Sequence, residues 1–410
     1  MQRIGLTTLL VTCLFAVSAP GWAGTYKVIY AFTGSPNDGS YPASPPSYIG
    51  GLLYGATAAG GTDGAGTIYS LDPATGTEKT LYSFTNGTDG STPGASLTQL
   101  GNELFATAQD GGGTTGSRYC GGSYYFGCGA ITKLNLKTGV LTVVYDFQGH
   151  DDGDSPISSL SKLNGVLYGT TFYGGGGGCP SNQLEQYGCG TVYSIDPATG
   201  SESVLYAFKN NAGDGMNPAG GLIDADGVFY GSTSDGGTYG YGTIFSFDPL
   251  SGRETVLHNF RGRQDGANPI GNLTRVGGVL YGATNAGWVK NGNYGTIFSL
   301  CLSTGAVKTV YAFKTGAKGG EYPNGNLVEQ DGTLYGTTSE GGAPGTGILF
   351  AVSLASGKET MLHRFGENGD GGFPSSGMTK VDGVFYGTTF EGGGTGCDGL
   401  GCGTVFSYQP

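Results

Sequence analysis

The sequence of 410 residues contains 84 glycines and carries a formal net charge of −12 at neutral pH. Binding to a phosphate backbone needs a basic face, and Lys and Arg are few and dispersed here, so the composition argues against a nucleic-acid partner. The same acidic charge argues against docking on an anionic membrane surface. The glycines follow no three-residue period, which excludes a collagen-like chain.

Residues 1–23 have the pattern of a secretory signal. Arg3 supplies the positive region, Leu6–Val17 is mostly apolar, and small residues at Gly21 and Ala23 fit the cleavage positions. The apolar run is too short to span a membrane comfortably. We therefore predict cleavage near Ala23, a secreted or periplasmic protein, and no membrane span in the mature chain.

Three short markers recur along the rest of the chain, and each occurs seven times. The first, Tyr-Gly-x-Thr with one degenerate copy, starts at Tyr54, Phe105, Tyr168, Tyr230, Tyr281, Tyr335 and Tyr386. The second, Gly-Thr before an apolar-aromatic pair with two looser copies, starts at Gly66, Gly129, Gly190, Gly242, Gly295, Gly347 and Gly403. The third, an apolar pair followed by Tyr or His and then Phe, ends at Phe32, Phe84, Phe147, Phe208, Phe260, Phe313 and Phe365.

A period of about fifty residues that contains only strand-like runs is typical of one propeller blade per repeat. We name the strands a (opened by Pro), b (first marker), c (second marker) and d (third marker). The mature chain opens with a lone d strand, Tyr26–Phe32, and ends after a c strand, Gly403–Tyr408. Pairing these two would remove the exposed edge. The predicted fold is all-β, a seven-bladed β-propeller of four-stranded blades formed by residues 24–410 as a single domain, closed by its N-terminal strand.

The cysteines fit an oxidising compartment. Three pairs bracket loops between strands b and c, and we predict the disulfides Cys120–Cys128, Cys179–Cys189 and Cys397–Cys402. Zinc would need four ligands in one place, whereas these pairs lie far apart in sequence and His is scarce. Cys301 occupies a turn position held by Asp in other blades, so we expect a partly exposed thiol there.

The pieces Leu-Tyr-Gly-Thr-Thr, Gly-Gly, Gly-Thr-Ile-Phe-Ser and Asp-Pro occur in this order in the repeat. With these motifs the whole mature chain resembles the Gloeo/Verruco (GloVer) tandem-repeat family of secreted bacterial proteins. The resemblance implies a secreted or surface-anchored propeller and supplies no catalytic residues. Members often carry a sorting tail, and because this chain stops at Pro410 directly after a strand, we do not expect surface anchoring.

The loops joining b to c and d to a are expected on one face of a propeller, and the b–c loops hold all the length variation. Extra loop length on one face indicates a binding surface. Aromatic rings beside short polar residues suit sugars, whose apolar C–H groups pack on ring faces. The predicted ligand-binding residues are Tyr124, Tyr125, Tyr173, Tyr239, Tyr241, Trp288, Tyr294 and Phe390. The alternative is that these rings pack on the blade beneath.

The d–a loops carry a recurring Asp-Gly-x-x-Pro pattern, which starts at Asp38, Asp89, Asp152, Asp214, Asp265 and Asp370, with Gly319 in the equivalent place in the sixth blade. Turn chemistry alone explains Asp-Gly, because the carboxylate accepts backbone hydrogen bonds. The alternative interpretation is a ring of carboxylates able to hold Ca²⁺. We predict no cofactor, with Ca²⁺ as that alternative.

Catalytic signatures are sparse, and no nucleophile triad can be assembled from the spacing of the three histidines. His150, Asp151 and Asp154 crowd one loop and are the only candidates for catalysis. We predict a monomeric, non-catalytic binding or scaffold propeller for an extracellular glycan or another polymer, acting through the face with the b–c and d–a loops. A polysaccharide lyase or hydrolase at the axial pocket, and a platform for protein ligands, remain alternatives.

Overall fold

The computed structural model describes residues 24–113, 120, 127–176, 179, 188–209, 213–263, 265–289, 292–316, 319–367 and 369–410. Seven antiparallel sheets stand in a ring, and each has its strands in the order a, b, c and d from the axis outwards. The arrangement is a seven-bladed β-propeller, as the repeats predict.

The strands follow the predicted markers, and strand a is short or split in most blades. Strand a comprises Ser47–Ile49, Ser91–Pro93 with Thr98–Leu100, Ser161–Leu163, Gly215–Pro218 with Ile223–Ala225, Ala267–Val276, Gly320–Gln330 and Met378–Val381. Strand b comprises Leu52–Thr57, Glu103–Asp110, Val166–Thr171, Val228–Gly236, Val279–Ala286, Thr333–Gly341 and Val384–Thr389. Strand c comprises Thr67–Leu71, Ala130–Asn135, Thr191–Ile195, Thr243–Asp248, Thr296–Cys301, Ile348–Ser353 and Thr404–Gln409.

The outer strand d completes each blade, and short elements decorate the loops. Strand d comprises Glu78–Ser83, Leu141–Asp146, Glu202–Ala207, Arg253–Asn259, Val307–Ala312 and Glu359–Arg364, with Thr25–Ala31 serving the seventh blade. Two-residue strand pairs join Gly39–Ser40 to Ala59–Gly60, Gly153–Asp154 to Tyr173–Gly174, and Trp288–Val289 to Gly292–Asn293. A single 3-10 turn spans Cys397–Gly399 within the described residues.

The predicted closure of the ring is confirmed. Strand Thr25–Ala31 pairs antiparallel with Thr404–Gln409, and Tyr26 lies opposite Tyr408. Tyr26 also reaches the sixth blade, where its ring stacks on His363 with centroids 3.7 Å apart and its hydroxyl donates to the Asp370 carbonyl at 2.8 Å. The two ends of the chain therefore complete one sheet and leave no open seam.

An aromatic ring on strand c forms the contact between neighbouring blades. In six blades this ring is directly opposite the Gly of Tyr-Gly-x-Thr on strand b, as for Gly231 and Phe245. The buried Phe of the third marker, from the preceding blade, meets the same ring with centroids 5.0–5.3 Å apart, edge-on in five blades, as Phe208 meets Phe245, and tilted in the seventh. A Cβ on Gly231 would lie 2.6 Å from the Phe245 ring, so only glycine leaves room for it.

The second blade lacks both the aromatic ring on strand c and the glycine opposite it. It has Thr132 in place of the ring, and the residue opposite on strand b is Ala106 instead of glycine. A smaller partner on strand c thus accompanies a larger residue on strand b, as close packing requires. This exchange of volume explains why the degenerate copy of the first marker has Ala106 where the other copies have glycine.

Two further contacts account for the remaining marker residues. The final Thr of Tyr-Gly-x-Thr hydrogen-bonds the Thr of Gly-Thr directly across the b–c pair, with the hydroxyls of Thr57 and Thr67 2.8 Å apart. The Gly of Gly-Thr has a φ of +88° to +104° and packs under the Pro that opens strand a of the next blade. A Cβ on Gly242 would lie 2.7 Å from Cδ of Pro269, so a side chain has no room there.

A polar cluster lies beside three of the aromatic contacts, those of the first, third and fourth blades. The Tyr of strand d donates to the Asp of the following d–a loop, and Tyr145 Oη lies 3.0 Å from the Asp152 carboxylate. A Glu from strand d of the next blade faces the same Asp. Burial, and then the charge of Asp38, Asp152 or Asp214, raises the pKa of the matching carboxyl to about 7 at Glu78, Glu202 and Glu254.

We expect Gly231→Ala to lower the free energy of unfolding by about 1–3 kcal/mol, because the added methyl overlaps the Phe245 ring. Gly278→Ala is the matched control, since a Cβ there meets nothing within 4 Å. Urea unfolding measures both variants. Equal stability of the two variants would show that the packing of the Phe245 side chain does not depend on the glycine.

We expect thermal stability to fall as the pH rises from about 4.5 to about 7.5, because over this range the folded chain still holds protons that the unfolded chain has lost. The carboxyls of Glu78, Glu202 and Glu254 have a folded pKa above the ordinary value of 4.5, so the stability they contribute is present at low pH and is lost as pH rises through about 7. After allowance for solvent screening, the loss is about 0.5–1 kcal/mol per carboxyl.

The triple variant Glu78→Gln, Glu202→Gln, Glu254→Gln should flatten this profile, whereas Glu340→Gln, at an exposed side chain, should leave it unchanged. His258 and His363 act in the opposite direction, because burial lowers the pKa of both, and their contribution is lost only as pH falls below about 6.5. Melting temperatures measured by calorimetry across this pH range test the assignment to the three glutamates. An undiminished slope in the triple variant would contradict the assignment.

Candidate functional site

The face that carries the d–a and b–c loops has one unusual backbone position per blade, directly before the Pro that opens strand a. All seven residues there have a φ of +51° to +59°: Tyr41, Thr92, Ser155, Asn217, Asn268, Tyr322 and Phe373. Each donates its backbone N–H to a carbonyl of the preceding blade at 2.8–3.0 Å, for example Tyr322 to Tyr294. The left-handed conformation is therefore part of the seam between blades.

The side chains at these seven positions break the symmetry that the backbone keeps. Four blades have Thr, Ser or Asn, whereas the first, sixth and seventh have Tyr41, Tyr322 and Phe373. A positive φ is unfavourable for bulky residues and best tolerated by Asn. Since Ser and Asn satisfy the same backbone geometry elsewhere in the ring, the fold does not require these three aromatic rings.

Tyr41 and Tyr322 each contact a ring from a b–c loop, and the Phe373 carbonyl accepts the backbone N–H of Phe390 at 3.1 Å. The Tyr41 ring stacks on Phe390 with centroids 4.8 Å apart, and Tyr322 meets Tyr294 edge-on at 6.4 Å. We call these five residues of the fifth, sixth, seventh and first blades the aromatic arc. Partial burial, and then the carboxylates of Glu340 and Glu321, raise the pKa of the Tyr322 hydroxyl, so the arc carries acidic neighbours.

A groove of about 430 Å³ opens beside Phe373 of the arc, between the sixth and seventh blades. Its lining combines Phe373 with Thr346, Asp370, Glu391, Thr395 and Leu400, together with glycines of the d–a and b–c loops. The Cys397–Cys402 disulfide closes the loop that presents Leu400, whose side chain is 59% exposed. The groove thus offers an aromatic ring, an aliphatic side chain at its edge, two hydroxyls and two carboxylates, of which that of Asp370 accepts N–H groups of its own loop.

The axial channel is narrower and chemically plain. It encloses about 180 Å³ and is lined by Ala, Ile, Pro, Gly, Ser and Asn residues of all seven blades. Two of these bind neighbouring backbone: the Asn272 side-chain oxygen accepts from Gly221 N–H and that of Asn326 accepts from Asn272 N–H. None of the described residues that line the channel is a carboxylate, a histidine or a tyrosine.

The predicted ligand-binding residues are distributed over the same face. Tyr239 and Tyr241 are 49% and 44% exposed, whereas Tyr173 is half-buried, with its ring 4.8 Å from Phe172. Trp288 lies in a short hairpin, but its side chain is outside the described residues. Tyr124 and Tyr125 lie outside them as well.

Tyr294 and Phe390 belong to the arc. Tyr41, Tyr322 and Phe373 were not among the predicted ligand-binding residues, because the Asp-Gly-x-x-Pro pattern was interpreted as turn chemistry alone. The signal was present in the residue before each Pro, which is aromatic in three copies of the pattern and Thr, Ser or Asn in the other four.

The candidate catalytic residues do not converge on the channel. His150 Nδ1 lies 3.0 Å from the Asp151 carboxylate, and both side chains are well exposed. Asp154 is fully buried and accepts from the Ser155 hydroxyl at 3.0 Å. None of the three lines either the groove or the channel.

The Asp residues of the d–a loops bind their own turns. The Asp38 carboxylate accepts from the Tyr30 hydroxyl at 2.9 Å and from the N–H groups of Thr33 and Gly39 at 2.7 Å. In two blades His replaces Tyr, and His363 lies 2.7 Å from Asp370. Across the part of the chain that the structure describes, no three His, Cys, Asp or Glu side chains are grouped as metal ligands would be.

The three predicted disulfides are present, at Cys120–Cys128, Cys179–Cys189 and Cys397–Cys402. Cys301 keeps a half-buried thiol, with its sulfur 3.4 Å from the Ser303 hydroxyl. Disulfides of this kind are typical of extracellular or periplasmic proteins. None of the helical segments in the described ranges has the length and apolarity of a membrane span.

Comparison with solved structures finds other propellers. An oligogalacturonate lyase in complex with manganese aligns over 94% of this chain and 96% of its own, with a TM-score of 0.53 and 12% identity. The oligogalacturonate lyase from Vibrio parahaemolyticus gives the same coverage, with a TM-score of 0.52 and 11% identity. Identities this low show the fold alone, and no curated protein sequence matches the chain.

The repeats themselves identify the family. Residues 13–181 and 178–406 both match the Gloeobacter/Verrucomicrobia repeat, so the matches extend over nearly all of the seven blades. The protein belongs to the Gloeobacter/Verrucomicrobia repeat family.

Proposed function

We propose that this chain is an exported, non-catalytic binding propeller that holds an extracellular glycan at the aromatic arc and its groove. The observation that carries the proposal is the broken symmetry of the seven positions before Pro. Three of them hold rings that the fold does not need, and all three lie in the blades that form the groove or flank it. An aromatic residue at an unfavourable φ lowers the stability of the fold, and such strain is often found at functional sites.

The chemistry of the arc favours a sugar. Rings offer flat apolar faces for the C–H groups of a pyranose, and the hydroxyls of Thr346 and Thr395 with the Glu391 carboxylate are suited to sugar hydroxyls. Glu321, Glu340 and Glu391 give this half of the face a negative charge, which disfavours an anionic polymer. An uncharged polysaccharide is therefore the best-matched ligand.

Export is supported by two independent features. The three disulfides are of a kind that persists outside the reducing cytosol. The sequence of residues 1–23 predicts a secretory signal, although those residues lie outside the described part of the chain.

A lyase or hydrolase at the axis has less support. The likeness to the oligogalacturonate lyases is one of fold, and the channel lining contains no side chain suited to proton transfer among the described residues. The platform for protein ligands lacks an observation that would favour it over the glycan.

We expect Tyr322→Asn and Phe373→Asn each to weaken binding of a neutral polysaccharide about tenfold, because each removes a stacking ring. Asn occupies the same backbone position in two other blades, so the fold should be preserved. Thr92→Asn introduces the same residue at the equivalent position of the second blade without removing a ring, and it is the control. Affinity electrophoresis against soluble β-glucan, xylan and mannan measures the change.

The proposal fails if the wild-type chain binds none of the polysaccharides, or if Thr92→Asn weakens binding as much as the two arc variants do. Melting temperatures of all three variants, compared with the wild type, separate loss of binding from loss of the fold.

A further inference from the structure

A second aromatic patch lies on the same face, between the fourth and fifth blades. Tyr239 and Tyr241, in the b–c loop of the fourth blade, are among the most exposed aromatic side chains of the described residues. Arg261, from the loop that leads into the fifth blade, places its guanidinium carbon 5.6 Å from the centre of the Tyr239 ring. We call Tyr239, Tyr241 and Arg261 the Tyr-Arg patch.

The patch is held by backbone, which limits its freedom before any ligand binds. The ring of Tyr241 lies against Gly262, where a Cβ would come within 2.6 Å of it and where φ is +70°. The carbonyl of Tyr241 accepts the N–H of Asn268 at 3.0 Å, which is the seam contact common to all blades. A preorganised ring loses little entropy when it becomes a stacking platform.

The charge of the patch is opposite to that of the chain. Arg261 and Arg263 are both exposed, and neither forms an ion pair with any described residue. The neighbouring carboxylates bind other groups than the guanidinium of Arg261. That of Asp265 lies 3.3 Å from the His258 ring and accepts the backbone N–H of Arg261. That of Asp235 accepts from the Ser234 hydroxyl. In a chain of net charge −12, this leaves an unusual cationic site.

We propose that the Tyr-Arg patch is a second binding site, which takes a carboxylate-bearing sugar such as a uronic acid. The planar guanidinium can bind the sugar carboxylate through two parallel hydrogen bonds, while an adjacent tyrosine ring packs on the pyranose C–H face. The site shares no residue with the aromatic arc, so it stands whether or not the arc binds a neutral glycan.

Two features favour a sugar over an acidic peptide. A peptide carboxylate would need only the guanidinium, whereas the patch also offers two exposed rings that such a side chain would leave uncovered. The rings and the cation lie on one surface, as the apolar face and carboxylate of a single uronate residue require.

The test is isothermal titration of the full chain with galacturonate oligosaccharides, in the presence of EDTA so that no divalent cation bridges the carboxylates. Carboxyl-reduced oligosaccharides of the same length and poly-glutamate serve as comparison ligands. We expect Arg261→Gln to weaken galacturonate binding about tenfold or more, because it removes a charge-assisted pair of hydrogen bonds. Arg261→Lys should recover only part of the loss, since an ammonium cannot form the paired contact.

Two controls separate this site from other effects. Arg253→Gln makes the same charge change at an exposed position where strand d of the fourth blade begins, and binding should be unchanged. Tyr322→Asn, in the arc, should also leave galacturonate binding unchanged, whereas Tyr239→Ala should weaken it. Loss of neutral-glycan binding in Tyr322→Asn alone would therefore report on the arc and not on the patch.

The proposal is overturned if galacturonate oligosaccharides do not bind, or if their carboxyl-reduced forms bind as well as they do. It is also overturned if Arg253→Gln weakens binding as much as Arg261→Gln, because the interaction would then be one of general charge. Poly-glutamate binding that equals that of the sugar, with the same dependence on Arg261, would assign the patch to an acidic peptide instead.

Discussion

The contact on which this ring depends is between one aromatic side chain and two neighbours. A Tyr or Phe of strand c packs against the glycine opposite it in its own blade and against the buried Phe of the preceding blade. The glycine leaves room for the ring because it has no side chain, and the Phe of the preceding blade buries the ring's apolar surface. Because six of the seven seams repeat this contact, no blade can be stable as an isolated sheet, and the chain must close on itself to bury its rings.

The same seams explain the strained backbone on the loop face. A glycine at positive φ lets the next blade's proline approach, and the residue before that proline donates its N–H back across the seam. The strain is therefore structural in origin, because all seven blades share it. What the fold leaves undecided is the side chain at that position, and this is where Tyr41, Tyr322 and Phe373 depart from the other four blades.

Charge divides the loop face into two regions. Glu321, Glu340 and Glu391 lie beside the aromatic arc, whereas Arg261 and Arg263 lie beside the exposed tyrosines between the fourth and fifth blades. The buried Asp residues take no part in this division, because they accept hydrogen bonds within their own turns. A propeller with a uniform repeat can thus present different chemistry around its rim, since only side chains that face solvent are free to vary.

The repeat markers determined the number of blades, the strand order and the closure, because each marker residue performs one packing or hydrogen-bonding task within a short distance of its neighbours. The cysteine spacing determined the three disulfides for the same local reason. The grouping of Tyr41 with Phe390, and of both with the groove beside Phe373, was decided only by tertiary structure. These residues lie more than three hundred positions apart or on different loops, and ring closure is the physical event that brings the first blade against the last.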